Sequence, residues 1–270
     1  MRYELKPRSM SELMDGTFKL YRDQVGPLLA IAAITDVPTA AFYVLAQRLV
    51  ANPATVTRAP GSLVPLFAAL SLLPLMLVAM TVQAGALASA TADAFLGRPW
   101  SVGGALRKAF SLLPGLLWAG ILWLLGLSLG FLLFILPCFY LGLAWAVWIQ
   151  ALVVEGKRGG AALSRSRALT KGAFGRLGWL LLAFGVVQIA LFVGMAAAIP
   201  SSIDKLPVIG AVLSQIPNVV MAPLYPALFT LVYFDGRIRH EGYDLEVAAR
   251  EEAPAASAAQ PLAPARFDAP

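Results

Sequence analysis

Residues 111–154 read SLLPGLLWAGILWLLGLSLGFLLFILPCFYLGLAWAVWIQALVV, 44 positions without one Asp, Glu, Lys or Arg. At 1.5 Å of rise per residue, about 20 helical residues cross the roughly 30 Å hydrocarbon core of a bilayer. The stretch is long enough for two spans and their connection. The remainder agrees: of 270 residues, 59% are apolar and 13% charged, where soluble domains carry about 25% charged residues, and the mean hydropathy is +0.74. The expected fold class is all-α, a polytopic membrane helical bundle.

Within that stretch residues 126–130 spell Gly-Leu-Ser-Leu-Gly, the G-x-S-x-G pattern of a serine-hydrolase elbow. An elbow needs a strand before the serine, a helix after it and a histidine in reach. Ser128 falls near the outer turn between two spans, whereas His240, the one histidine of the chain, follows the last span on the opposite side. Gly126 and Gly130 are better read as a hairpin turn or a close helix approach. The single cysteine, Cys138, excludes an intrachain disulfide and reads as a packing residue. The sequence holds no H-E-x-x-H, C-x-x-C or G-x-x-x-x-G-K pattern, so no catalytic role, cofactor or metal is expected.

Six spans are expected, at residues 27–50, 70–92, 112–130, 131–154, 178–199 and 208–234, with 63–70 either extending the second or lying at the interface behind Pro65. The charged segment before residue 27 is too long for a secretory signal, so the first apolar run is expected to stay as a span. The sixth span carries Pro217, Pro223 and Pro226 and should be kinked or broken. With this arrangement 18 of the 21 Lys and Arg residues fall on one side, leaving Arg48, Arg58 and Lys205 on the other. The positive-inside rule then places both termini in the cytoplasm. The net charge of +6 is a topology signal, not a nucleic-acid footprint.

Apolar residues at helical spacing precede each odd-numbered span. Met10, Leu13, Met14, Thr17, Phe18 and Tyr21 form one such face, behind a Ser9/Glu12 capping box and beside an Asp15/Lys19 pair. Val102, Ala105, Leu106, Ala109, Phe110 and Leu113 form a second; Ala162, Leu163, Leu169, Ala173, Phe174 and Leu177 form a third. These imply three cytoplasmic amphipathic interfacial helices. Each even-numbered span ends on an acid, a glycine and a base: Asp93/Gly97/Arg98, Glu155/Gly156/Lys157 and Asp235/Gly236/Arg237. The chain therefore reads as three parallel copies of one unit, although any cytoplasmic helix end favours a glycine cap and a base. The acids are the part such ends do not explain. Asp93, Glu155 and Asp235 are expected to pair with bases of neighbouring copies and lock the rim into a ring. Arg237 and Arg239 should stabilise that ring, while Arg165, Arg167 and Lys171 should contact anionic lipid headgroups.

The junction YFDGRIRHEGYDLE, with the opening LKPRSMSELMDGTFKLYRD and the middle VVEGKRGGAALSRSRALTKGAFGRL, resembles the bacterial membrane domain attached to some glycerophosphoryl diester phosphodiesterases. Asp235, Arg237, Arg239, Glu241, Gly242, Asp244 and Leu245 match that family's closing motif; Gly236 departs from it, where a leucine is expected. The resemblance covers roughly residues 5–246. It implies a multi-span protein of the bacterial plasma membrane with no established active site. The phosphodiesterase activity belongs to a separate barrel, and residues 247–270 read as a disordered, Ala/Pro-rich cytoplasmic tail unable to supply one.

Asp36 falls near the middle of the first span. An ionisable group there is costly and faces a partner or water. It is either a coupling carboxylate of a transporter or a buried acid bonded to Gln83, Gln188 or Asn218. The small residues Ala84, Ala88 and Ala92, flanked by Gly85 and Ser89, allow close packing within the chain or against a second copy. The six tryptophans, Trp100, Trp118, Trp123, Trp145, Trp148 and Trp179, read as interface anchors and bundle packing. Together these features favour a non-enzymatic membrane scaffold or lipid-engaging module, with anionic lipids and another membrane protein or its own copy as the expected partners. The alternative is a small-solute or lipid transporter using Asp36.

Overall fold

The computed structural model describes residues 4–51, 64–133, 135–198 and 207–249; Arg58, Lys205 and the tail from residue 250 lie outside the described residues. The described chain is helical throughout: α1 Met10–Asp23, α2 Val25–Ala51, α3 Val64–Phe95, α4 Val102–Leu133, α5 Ile135–Ala144, α6 Trp148–Glu155, α7 Gly160–Thr170, α8 Phe174–Ala198, α9 Pro207–Met221 and α10 Leu224–Glu241. Residues 243–249 add a last short helix, so the segment read as tail begins in helical conformation. Five stretches are long and apolar enough to cross a membrane, among them Leu136–Glu155 across the α5–α6 pair and Gln215–Glu241 across α9 and α10. The apolar helix α2, 27 residues long, precedes them. The protein is a multi-pass membrane bundle.

The two ends of the described chain meet. The Arg8 backbone N–H, ahead of α1, donates to Asp235 near the end of α10 over 2.7 Å. A chain that starts and finishes at one end of a bundle crosses it an even number of times. The α2, α3, α4, α5–α6, α8 and α9–α10 segments supply six crossings, as the apolar runs imply.

The helices α3 and α10 lie at the centre. Facing side chains include the Thr91 and Thr230 hydroxyls, 2.9 Å apart, and the stacked rings of Phe95 and Phe234. The outer helices show the reverse pattern. Leu182, Val186, Ile189 and Val193 of α8 are all exposed, at spacings of four, three and four that make one stripe. In water such a stripe is a liability; here it is the lipid-facing surface. The small-residue row of α3 packs within the chain: a Cβ on Gly85 would lie 2.6 Å from Leu116 and 3.4 Å from Ala109, both on α4. Gly126 and Gly130 are likewise contact points, where α4 meets the Trp145 ring and the Cys138 backbone. Ser128 sits exposed on the continuous helix α4, with no elbow around it.

Three local features differ from the sequence expectation. The amphipathic segment at residues 102–113 is not a separate helix: α4 runs unbroken through Pro114 for 32 residues. The span at 131–154 is interrupted at residues 145–147, and the interruption is sealed by α7. Ser166 Oγ accepts from the Val147 N–H at 3.1 Å and donates to the Ala144 carbonyl at 3.0 Å, where Thr170 Oγ1 donates as well. Backbone polar groups freed inside a membrane have to be bonded somewhere, and here two buried hydroxyls do it. Finally, α10 does not stop at Asp235-Gly236-Arg237 but continues to Glu241, and Gly242 is the left-handed cap. Left-handed glycines do end α3 and α6, at Gly97 and Gly156. The sixth span breaks at Ala222 and Pro223, as its prolines imply.

Gly236 has a different purpose. A Cβ there would stand 2.8 Å from the carbonyl oxygen of Leu169 on α7, so the missing side chain lets the two backbones touch. Alanine normally stabilises a helix by about 1 kcal/mol over glycine, while overpacking costs about 1–3 kcal/mol. We expect Gly236→Ala to lower the melting temperature of the detergent-purified protein. A rise would show that α7 yields freely at this contact.

Candidate functional site

The ends of α3, α6 and α10 gather at one end of the bundle, and the acids at those ends organise it. Asp93 faces Lys108 of α4 at 3.7 Å and Arg98 at 3.9 Å. Glu155 takes both the Nε and an Nη of Arg165 on α7 at 2.8 Å, and the Tyr233 hydroxyl of α10 at 2.6 Å. Asp235, with its side chain fully buried, accepts from the Arg8 backbone and from the guanidiniums of Arg176 and Arg239. Assigned to the three copies read in the sequence, Asp93 links the first to the second and Glu155 links the second to the third. Asp235 closes the circuit on the segment that opens the first.

The closing contact uses backbone, not a side-chain base. Asp235 takes the Arg8 N–H, and the Arg8 carbonyl accepts from Arg176 at 2.9 Å and Arg239 at 2.7 Å. The Arg8 guanidinium turns back to the Glu4 carbonyl and lies over the Phe95 ring. Helix α1 is held by the same contact. Its Leu13, Thr17 and Leu20 are fully buried, and Gly16 abuts Leu231 of α10 and the Arg8 side chain. The face is against protein rather than lipid, with Phe18 partly exposed and stacked on Phe184. The Ser9/Glu12 capping box is present, and the Ser9 backbone N–H holds the Glu12 carboxyl below its ordinary range.

Arg165, read from the sequence as a headgroup contact, is committed elsewhere. It bridges Glu155 and Glu241, and Glu241, with Glu155 beside it, raises its pKa further so that its charge is permanent. Arg237 bonds Glu241 at 3.1 Å and lies 4.0 Å from the centre of the Tyr243 ring. It belongs to this second cluster, not to the Asp235 one. Arg167 is exposed over Tyr140, and Lys171 is exposed in the α7–α8 turn. Asp244 follows the Gly242 cap on the short helix 243–249, and none of the described ion pairs includes it.

Of the three amides considered for Asp36, Gln83 is the partner, donating to Asp36 Oδ1 at 2.9 Å and reaching toward the Ala32 carbonyl. The other carboxyl oxygen is buried without a hydrogen bond. Gln188 accepts from the Tyr225 hydroxyl, and Asn218 donates to Gln215. Sequence reading missed Tyr233, Arg176, Ser166 and Thr170. The last two did leave a signal: they are hydroxyls one turn apart on the apolar face of α7, where a purely interfacial helix has no use for them.

Comparison with known proteins returns no matching family model, curated protein or solved structure.

Proposed function

We propose that the chain is a non-enzymatic scaffold of the bacterial plasma membrane, with both termini cytoplasmic, that holds a rigid basic rim against anionic lipid. The observation that carries this reading is the division of labour among the cations. Arg165, Arg176, Arg237 and Arg239 are held in ion pairs with Glu155, Asp235 and Glu241, whereas Lys157, Arg158 and Lys171 are exposed with no ion pair among the described residues. Each basic residue near an anionic surface contributes about 1 kcal/mol. Three give roughly a 150-fold preference for anionic lipid. The resemblance to a phosphodiesterase membrane domain fits a module that works beside an enzyme. A rim of this kind would suit docking of a partner membrane protein or a second copy.

Two measurements test this. Reporter fusions after Arg98 and Arg158 should report the cytoplasm, and fusions after Arg58 and Lys205 the outer compartment; one clear inversion sinks the orientation. Mass spectrometry of lipids retained by the purified protein should show enrichment of anionic over zwitterionic species. Retention in proportion to membrane composition would remove the lipid-engaging reading.

A second reading, a transporter of small solutes or lipid, draws on Asp36 and the two interrupted spans, since broken helices often frame transporter sites. Against it, the α5–α6 interruption has its carbonyl and N–H occupied by Ser166 and Thr170, leaving them committed rather than open to an ion. We expect Asp36→Asn to keep normal membrane levels and melting behaviour, because an amide can still bond Gln83. Loss of a cellular phenotype at normal levels would favour transport. Asp36→Leu should cost about 1–3 kcal/mol by stranding the Gln83 amide.

A further inference from the structure

A cavity of about 410 Å³ opens between the α7–α8 turn and the end of α10. Lys171, Arg176, Arg239 and His240 line it, with Gly172 and Gly236 in its walls. The carboxylate bonded to this group is Asp235, whose side chain is fully covered. Arg176 and Arg239 therefore share one buried carboxylate, and Lys171 adds a third basic side chain beside them. The neighbouring acid, Glu241, is already taken by Arg165 and Arg237.

The donors are also pre-positioned. Arg176 bonds through its two terminal nitrogens and Arg239 through Nε and one terminal nitrogen, to Asp235 and the Arg8 carbonyl. Both guanidiniums are thus fixed in place, and their described bonds leave Arg176 Nε and the other Arg239 terminal nitrogen to donate elsewhere. Lys171 has no ion pair among the described residues. Gly172 stands at φ +82° with open space where a Cβ would be, which leaves backbone exposed at the mouth. Leu169 and Val232 give the cavity an apolar side.

We propose that this cavity binds the phosphate group of an ester, with Lys171, Arg176 and Arg239 on the oxyanion and Leu169 and Val232 against its carbon. Fixed guanidiniums and a mobile ammonium are complementary phosphate donors: the first give directional bonds, the second a point charge. The ester is either the headgroup of an anionic phospholipid or a soluble phosphate ester. The proposal deepens the lipid-engaging reading by giving it a defined site.

The test compares two variants of the full chain that each remove one exposed charge from the same end, Lys171→Gln inside the cavity and Lys157→Gln outside it. Binding is measured to phosphatidylglycerol vesicles against phosphatidylcholine vesicles, and separately to glycerol 3-phosphate and inorganic phosphate by thermal shift. A site predicts that Lys171→Gln loses at least about tenfold more affinity than Lys157→Gln, the value of one charge-assisted hydrogen bond. A loss seen with vesicles, and not relieved or mimicked by glycerol 3-phosphate, assigns the lipid headgroup. A loss seen with glycerol 3-phosphate assigns a soluble ester. Equal losses in the two variants overturn the site while leaving general lipid attraction standing. If vesicles of both compositions bind alike but the soluble ester still separates the variants, the lipid-engaging reading fails and the site survives. His240→Gln, also at the cavity wall, should fall with Lys171→Gln rather than with Lys157→Gln.

Discussion

Asp235→Ala should be the most destabilising single substitution at the charged end, by about 2–4 kcal/mol in detergent-solubilised protein, the full buried-pair penalty being reduced because the Arg176 and Arg239 side chains left behind are 22% and 42% exposed. The carboxylate is buried and serves three donors: the Arg8 backbone N–H, Arg176 and Arg239. Removing one partner of a buried ion pair leaves uncompensated charge, and that penalty, not the pair's own net value, sets the magnitude. Here two guanidiniums and one amide lose their acceptor together. Because the same contact anchors the start of α1, whose Leu13 and Leu20 are fully buried, protease cleavage ahead of α1 should accelerate in step with the loss of thermal stability. Asp235→Asn should fall between, since its carbonyl can still receive Arg8 while its amide opposes the arginines. A change below about 1 kcal/mol for Asp235→Ala would place the residue among ordinary surface ion pairs and remove the closing link of the ring.

What could be read from the sequence follows the range of the interactions. The Ser9/Glu12 box needs only three residues of spacing, and it is present as read. The spans follow from apolar length alone, and the Ala84/Ala88/Ala92 row announced a close packing face, though not whether it would meet its own chain, as it does at α4, or a second copy. The three ring acids were visible as residues that a positively biased rim does not explain. Their partners were only half visible. Lys108 and Arg165 could be guessed from charge, but Asp235 closes on the Arg8 backbone, and a backbone N–H has no letter in a sequence.

The interruption at 145–147 was hidden for a related reason. No proline stands there, and the segment LAWAVW reads as unbroken span. What permits the break is a pair of hydroxyls some 20 residues later. The burial of α1 was ambiguous by nature, because an apolar helix face fits a lipid surface or a protein groove equally well. Gly236 illustrates the converse: it departs from the leucine that the resemblance leads one to expect, and the missing side chain is what leaves room for the Leu169 carbonyl of α7.

Arg165→Gln provides the second large effect and separates the structural from the lipid role of the rim. The guanidinium joins Glu155 at the end of α6 to Glu241 at the end of α10, while Tyr233 also donates to Glu155. Without it, two partly buried carboxylates face each other across α7 with Tyr233 and Arg237 as the remaining donors. Arg165 is about a fifth exposed, so water recovers part of the loss, and we expect roughly 2–3 kcal/mol of destabilisation rather than the full buried-pair penalty. A double-mutant cycle with Glu155→Gln should return a coupling of about 1–2 kcal/mol. Arg167→Gln, one residue from Ser166 on the exposed side of the same helix, should leave the melting temperature within about 1 °C, since substitutions away from buried features cost little. Were Arg165→Gln instead to keep full stability and lose only bound anionic lipid, the guanidinium would be serving headgroups after all, and Tyr233 would be the remaining described donor to Glu155.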